Sequence, residues 1–145
     1  MMAKRILVPL DGSESAEAAA ALAADLARGS GGDVRLMQVY PVPEHRVSTT
    51  GRVVAYADQE MERLNAEGRD YLESVEAQLA PVSTETVVRF GEPEREILVE
   101  AEAFDADMIV VTASRRSWFE RLTGSGLGEK LLNASPVPVV LVRSA

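Results

Sequence analysis

Five short apolar runs, each separated from the next by a stretch of helical periodicity, constrain this chain more than any other feature. The runs are Ile6-Leu7-Val8-Pro9-Leu10, Val34-Arg35-Leu36-Met37-Gln38-Val39, residues 82–88, Met108-Ile109-Val110-Val111-Thr112 and Val139-Val140-Leu141-Val142. They are short, rich in β-branched residues and bounded by Gly, Pro, Asp or Ser, as strands are. Every connection is long enough for a right-handed crossover, which makes the expected fold α/β: a parallel sheet covered by helices on both faces. In such sheets ligands bind beyond the carboxyl ends of the strands, where the strand order reverses.

Local signals set the helices. Asp11-Gly12-Ser13 makes the first turn, and Ser13 is placed to cap a helix with Glu14 and Glu17 near its positive end. Ala19, Leu22, Ala23 and Leu26 recur at helical spacing as its apolar face, and Gly29-Ser30-Gly31-Gly32 ends it. Met61, Leu64, Tyr71, Leu72, Val75 and Leu79 mark one side of a long helix over residues 55–79. Pro93 opens a third helix whose buried stripe is Ile97, Ala101 and Phe104. Between the second strand and the long helix, residues 44–52 carry no periodicity and read as the longest loop. His45 in that loop reads as a solvated residue.

Composition excludes whole classes of function. The 145 residues suit one domain, 1–145, and the formal net charge of −8 disfavours nonspecific contact with nucleic acid or an anionic membrane. With no cysteine and one histidine, thiolate metal sites, zinc clusters and cysteine nucleophiles are ruled out. No run approaches the roughly 20 apolar residues of a membrane span, and the N-terminal run is too short for a signal peptide, so a cytoplasmic location is expected.

The chemistry concentrates between the fourth and fifth strands. A basic loop holding Arg115, Arg116, Arg121 and Trp118 runs into Gly124-Ser125-Gly126-Leu127-Gly128 and a short helical pattern. Strand, loop and glycine-rich helix start together suit an anion, because exposed N–H groups and the helix dipole both favour negative charge. A tight turn whose glycines only supply positive φ, beside solvated arginines, accounts for the same residues equally well. The stretch 124–130 lacks the spacing of a phosphate loop ending in Gly-Lys-Ser/Thr, and no Ser/His/Asp set exists. Dedicated catalysis is not expected, beyond slow nucleotide hydrolysis.

The motifs Ile-Leu-Val-Pro-Leu-Asp-Gly-Ser at residues 6–13, Gly91-Glu92-Pro93, the run 107–111, and Ser-Pro-Val-Pro-Val-Val-Leu-Val at 135–142 resemble the universal stress proteins. The resemblance spans essentially the whole chain in order. It implies a doubly wound, Rossmann-like five-stranded parallel sheet of order 3-2-1-4-5 and a homodimer joined through Val139, Val140, Leu141 and Val142. It also implies a crevice for ATP or a related adenine nucleotide, with Mg2+ as its counterion. Pro9, Leu10 and Asp11 match positions near the nucleoside, and Val39 matches an adenine contact.

Nucleotide-binding members of that family carry Gly-x2-Gly-x9-Gly followed by Ser or Thr, and here the pattern is degraded. Ala113 and Arg116 stand at the first two glycines. Seven residues separate Arg116 from Gly124, and nine separate it from Gly126. The first register keeps Ser125 but shortens the loop, whereas the second places Leu127 at the hydroxyl position. Counting back without gaps from Glu129 and Pro136 puts Ser125-Gly126 there instead. Arg115 and Arg116 can replace backbone contacts with charged ones, which phosphate favours. The alternative is a member that binds no nucleotide and acts as a dimeric interaction module for regulatory proteins.

Overall fold

The computed structural model describes residues 4–44, 46–47, 53–112 and 126–143. Its main sheet contains β1 (Arg5–Pro9), β2 (Asp33–Tyr40), β5 (Ser83–Phe90), β6 (Met108–Thr112) and β7 (Val139–Val142). All four pairings are parallel and the order is β5-β2-β1-β6-β7, the expected 3-2-1-4-5 arrangement. Helices α1 (Glu14–Ser30), α2 (Ala57–Gln78), α3 (Pro93–Phe104) and α4 (Leu127–Ala134) connect them.

Side-chain alternation along the strands builds two cores. Ile6, Val8, Leu10, Val34 and Leu36 face α1 and α2, whereas Leu7, Met37, Val39, Ile109 and Val111 face α3 and α4. In β1, Ile6, Leu7 and Val8 are fully buried, which is why a continuous apolar run, rather than an alternating one, occupies the middle of the sheet.

Ser13 caps α1, its Oγ accepting from the Ala16 amide, and Gly31 closes the helix in the left-handed conformation. The face of α1 keeps Ala19 and Ala23 of the expected one and departs from it at the leucines. Ala16, Ala19, Ala20, Ala23, Ala24 and Ala27 are buried, Leu22 is only partly so, and Leu26 is exposed. The alanine stripe lets the helix lie close on β1 and β6, and the longer leucines fall at its flank. Helix α2 starts at Ala57 because the residues before it are extended, and β5 runs to Phe90, two residues past its expected end.

The stretch 44–52, expected to be a structureless loop, contains β3 (Arg46–Val47), which pairs antiparallel with β4 (Val53–Ala55) just beyond it, joined at Arg46↔Ala55 and Val47↔Val53. Valines at 47, 53 and 54 supply the β preference that the polar composition concealed. No helix among the described residues is long and apolar enough to cross a membrane.

Candidate functional site

The carboxyl ends of β1 and β6 diverge for a reason visible in the sequence. The Leu10 amide donates to the Met37 carbonyl of β2 at 2.7 Å. Successive strand amides point to opposite sides, so the nitrogen of Pro9 faces β6, and proline has no N–H to donate. Pairing of β1 with β2 accordingly continues to Pro9↔Met37, whereas pairing with β6 stops at Leu7↔Ile109. The gap lies where the strand order reverses: β2 and β5 on one side, β6 and β7 on the other. The expectation that pairing lapses at Pro9 is met on one of its two sides.

The turn after β1 forms one wall. Asp11 Oδ1 accepts from the Ser13 amide at 3.0 Å and from the Ser13 hydroxyl at 2.6 Å. The hydroxyl, its proton spent on Asp11, accepts from the Ala16 amide at 3.2 Å. Gly12 between them sits at φ 86°, a conformation that a Cβ would strain. The carboxylate of Asp11 therefore both builds the turn and stands half-buried at its surface. Its hold on Ser13, the cap residue, is structural.

Gly126 is the N-cap of α4, with Leu127 and Gly128 buried in its first turn. The amides of that first turn have no intrahelical acceptors, so they point their partial positive charge outward. Glu129 lies in the same turn, its side chain about one van der Waals contact from a Cβ built on Gly126 (3.7 Å). That carboxylate competes with any other anion for the helix end.

The remaining candidates divide into backbone and side-chain positions. Leu10, Val39 and Leu127 are buried in the two cores, so their side chains pack and only their main chains can meet a ligand. Pro9 is buried at the end of its strand. Ala113, Arg115, Arg116, Gly124 and Ser125 lie outside the described residues. Pro9, Leu10, Asp11 and Val39 thus lie at the ends of β1 and β2, whereas Gly126 and Leu127 stand at the start of α4, Leu127 sharing a core with Val39.

Two residues that the sequence pattern did not single out stand beside the turn. Gln38, 8% exposed in an otherwise apolar run, accepts from the Tyr40 hydroxyl at 3.1 Å. A Cβ on Gly12 would lie 4.0 Å from its Nε2. Tyr71 of α2 has burial as the first cause of its pKa rise to about 12, followed by the charges of Glu17 and Asp11. A polar residue inside a buried strand was the available signal for Gln38; Tyr71 gave none, since its spacing marks only an apolar face. Among the described residues, no three acidic or histidine side chains gather as metal ligands.

The whole chain, residues 2–143, matches the Universal stress protein family. The protein belongs to that family. Among its relatives, universal stress protein MJ0531 of Methanocaldococcus jannaschii is 29% identical over 97% of this chain and 82% of its own length. Universal stress protein YxiE of Bacillus subtilis is 26% identical over 98% of this chain and all of its own. Universal stress protein UspA from Lactobacillus plantarum superposes with a TM-score of 0.75 at 20% identity, covering 99% of both chains. A universal stress protein in complex with cAMP gives 0.68 at 22% identity over 98% of both chains. An Arabidopsis thaliana member with AMP bound gives 0.68 at 17% identity, covering 98% of this chain and 92% of its own. These structural likenesses establish a shared fold.

Proposed function

We propose that this universal stress protein binds an adenine nucleotide, ATP or a relative of it, in the crevice between β1 and β6. The observation that carries the reading is the one-sided lapse of the β1 ladder at Pro9, which opens the sheet beside the turn built on Asp11. The adenine would lie over the main chain of Val39 and Leu10, with Pro9 as a wall. Asp11 would accept from a sugar hydroxyl. Gly126 and Leu127 would offer amides to the phosphates, and Ser125, Gly124, Ala113, Arg115 and Arg116 complete that end in the sequence. Bound cAMP and AMP in the two structural neighbours support an adenine ligand; Mg2+ would accompany a triphosphate through its oxygens. The protein would work in the cytoplasm as a single-domain homodimer joined through Val139, Val140, Leu141 and Val142.

The test is calorimetric titration with ATP, ADP and adenosine. Affinity should fall in that order and with added salt, because exposed charges are screened beyond about 8–10 Å. Arg116→Ala should cost about 1.5–3 kcal/mol toward ATP, the value of a hydrogen bond to a charged group, and almost nothing toward adenosine. No heat with millimolar ATP, together with no nucleotide released on denaturing the purified protein, would leave a dimeric interaction module.

A further inference from the structure

Helix α2 packs against the strand ends at unusually close range. A Cβ on Gly68 would come within 2.9 Å of Tyr40 Cε2 and 3.1 Å of both Gln38 Oε1 and Val88 Cγ2, so any larger residue there would have to push these side chains aside. Tyr71 follows three residues later on the same face, and its ring packs against the core beneath the turn after β1.

Its hydroxyl is out of contact with solvent and has no hydrogen-bond partner among the described residues. The Gly12 amide lies close enough to the phenolic oxygen to oppose the rise in its pKa. An N–H beside that oxygen can only donate to it, so the hydroxyl proton has no acceptor in either case. Burial and the carboxylates of Glu17 and Asp11 keep the phenol protonated, and it remains a donor at any physiological pH. A buried donor left unmade costs free energy, and proteins keep such a group where another state of the molecule uses it.

We propose that the Tyr71 hydroxyl is a positioning donor for the turn formed by Asp11, Gly12 and Ser13, and that it makes its hydrogen bond to the Asp11 carboxylate when the crevice is occupied. The inference rests on the nucleotide-binding reading. Tyr71 is anchored by α2, whereas the turn is exposed at Gly12. Engagement of Asp11 by a ligand is the event that brings its carboxylate within reach of the phenol in this proposal. Occupancy and the state of one hydroxyl are thereby linked.

The experiment compares wild type with Tyr71→Phe, using ATP and AMP as probes. Removal of an unused buried hydroxyl should leave the thermal midpoint of the ligand-free protein unchanged or raised. It should weaken ATP binding roughly tenfold, the loss of one hydrogen bond to a charged acceptor. In wild type carrying tyrosine labelled with 13C at Cζ, the resonance absent from the variant should shift on saturation with ATP. A lowered midpoint for the ligand-free variant would overturn the proposal, since the hydroxyl would already be satisfied. Equal ATP affinity in the two proteins, or an unmoved resonance, would overturn it alone. Failure of wild type to bind either nucleotide would remove it together with the nucleotide reading.

Discussion

Asp11 Oδ1 takes both the amide and the hydroxyl proton of Ser13, at 3.0 Å and 2.6 Å, and this pair couples the wall of the crevice to the cap of α1. Asp11→Ala should lower stability by about 1–2 kcal/mol through the loosened cap and weaken nucleotide by about 1–3 kcal/mol. Asp11→Asn keeps an acceptor for Ser13, so it should recover most of the stability while leaving much of the binding defect. Urea denaturation and calorimetry of the three proteins separate the two roles.

The side chain of Glu100, 4% exposed, holds two arginines from neighbouring strands: Arg35 Nη1 at 2.7 Å and Arg89 Nη1 at 3.1 Å. Arg35 also lies over the Phe104 ring, 4.2 Å from its centroid, and bridges to Glu85; Arg89 bridges to Glu96 at 2.9 Å. Glu100→Ala strands two partly buried cations that keep one partner each. The expected loss is about 3 kcal/mol, at the low end for breaking a buried pair. Chemical denaturation measures it, and a loss under about 0.5 kcal/mol would class the cluster with ordinary surface charges.

Tyr71 predicts an alkaline signature. Its pKa is raised from 10.0 to about 12 in the folded state. The stability tied to keeping it neutral is fully present below pH 10. It declines as the unfolded chain ionises first, and it is lost as pH rises through about 12. Wild type should lose stability more steeply than Tyr71→Phe across that window. Parallel denaturation curves from pH 9 to 12 would show no such linkage.

The edge strand β7 pairs with β6 alone in this sheet, leaves Leu141 36% exposed, and carries four apolar residues in succession. An apolar edge of this kind invites another strand. Val140→Lys should convert a homodimer to a monomer in sedimentation at micromolar concentration. A wild type already monomeric there would refute the assembly.

Much of the architecture was legible because its causes are local. The five apolar runs, the Ser13 cap, the Gly31 stop and Pro93 at a helix start act over a few residues, and each stands within two residues of where the pattern put it. The parallel sheet follows from the alternation, and its order from the family resemblance. Pro9 was readable as the end of a ladder, although only the register showed that the missing N–H faces β6.

The rest depends on distance in sequence. Periodicity gave α1 a face of Ala19, Leu22, Ala23 and Leu26, yet the sheet beneath took the two alanines with four more and turned Leu26 outward, since close packing favours the smallest side chains. The Arg35–Glu100 pair spans 65 positions, and neither residue signals its partner locally. Tyr71 meets the turn at Gly12 through the packing of α2 on β2 and β5, which is close at Gly68. Short-range preference set the elements by itself; the placing of charges and of one unspent hydroxyl beside the crevice was decided by how those elements pack.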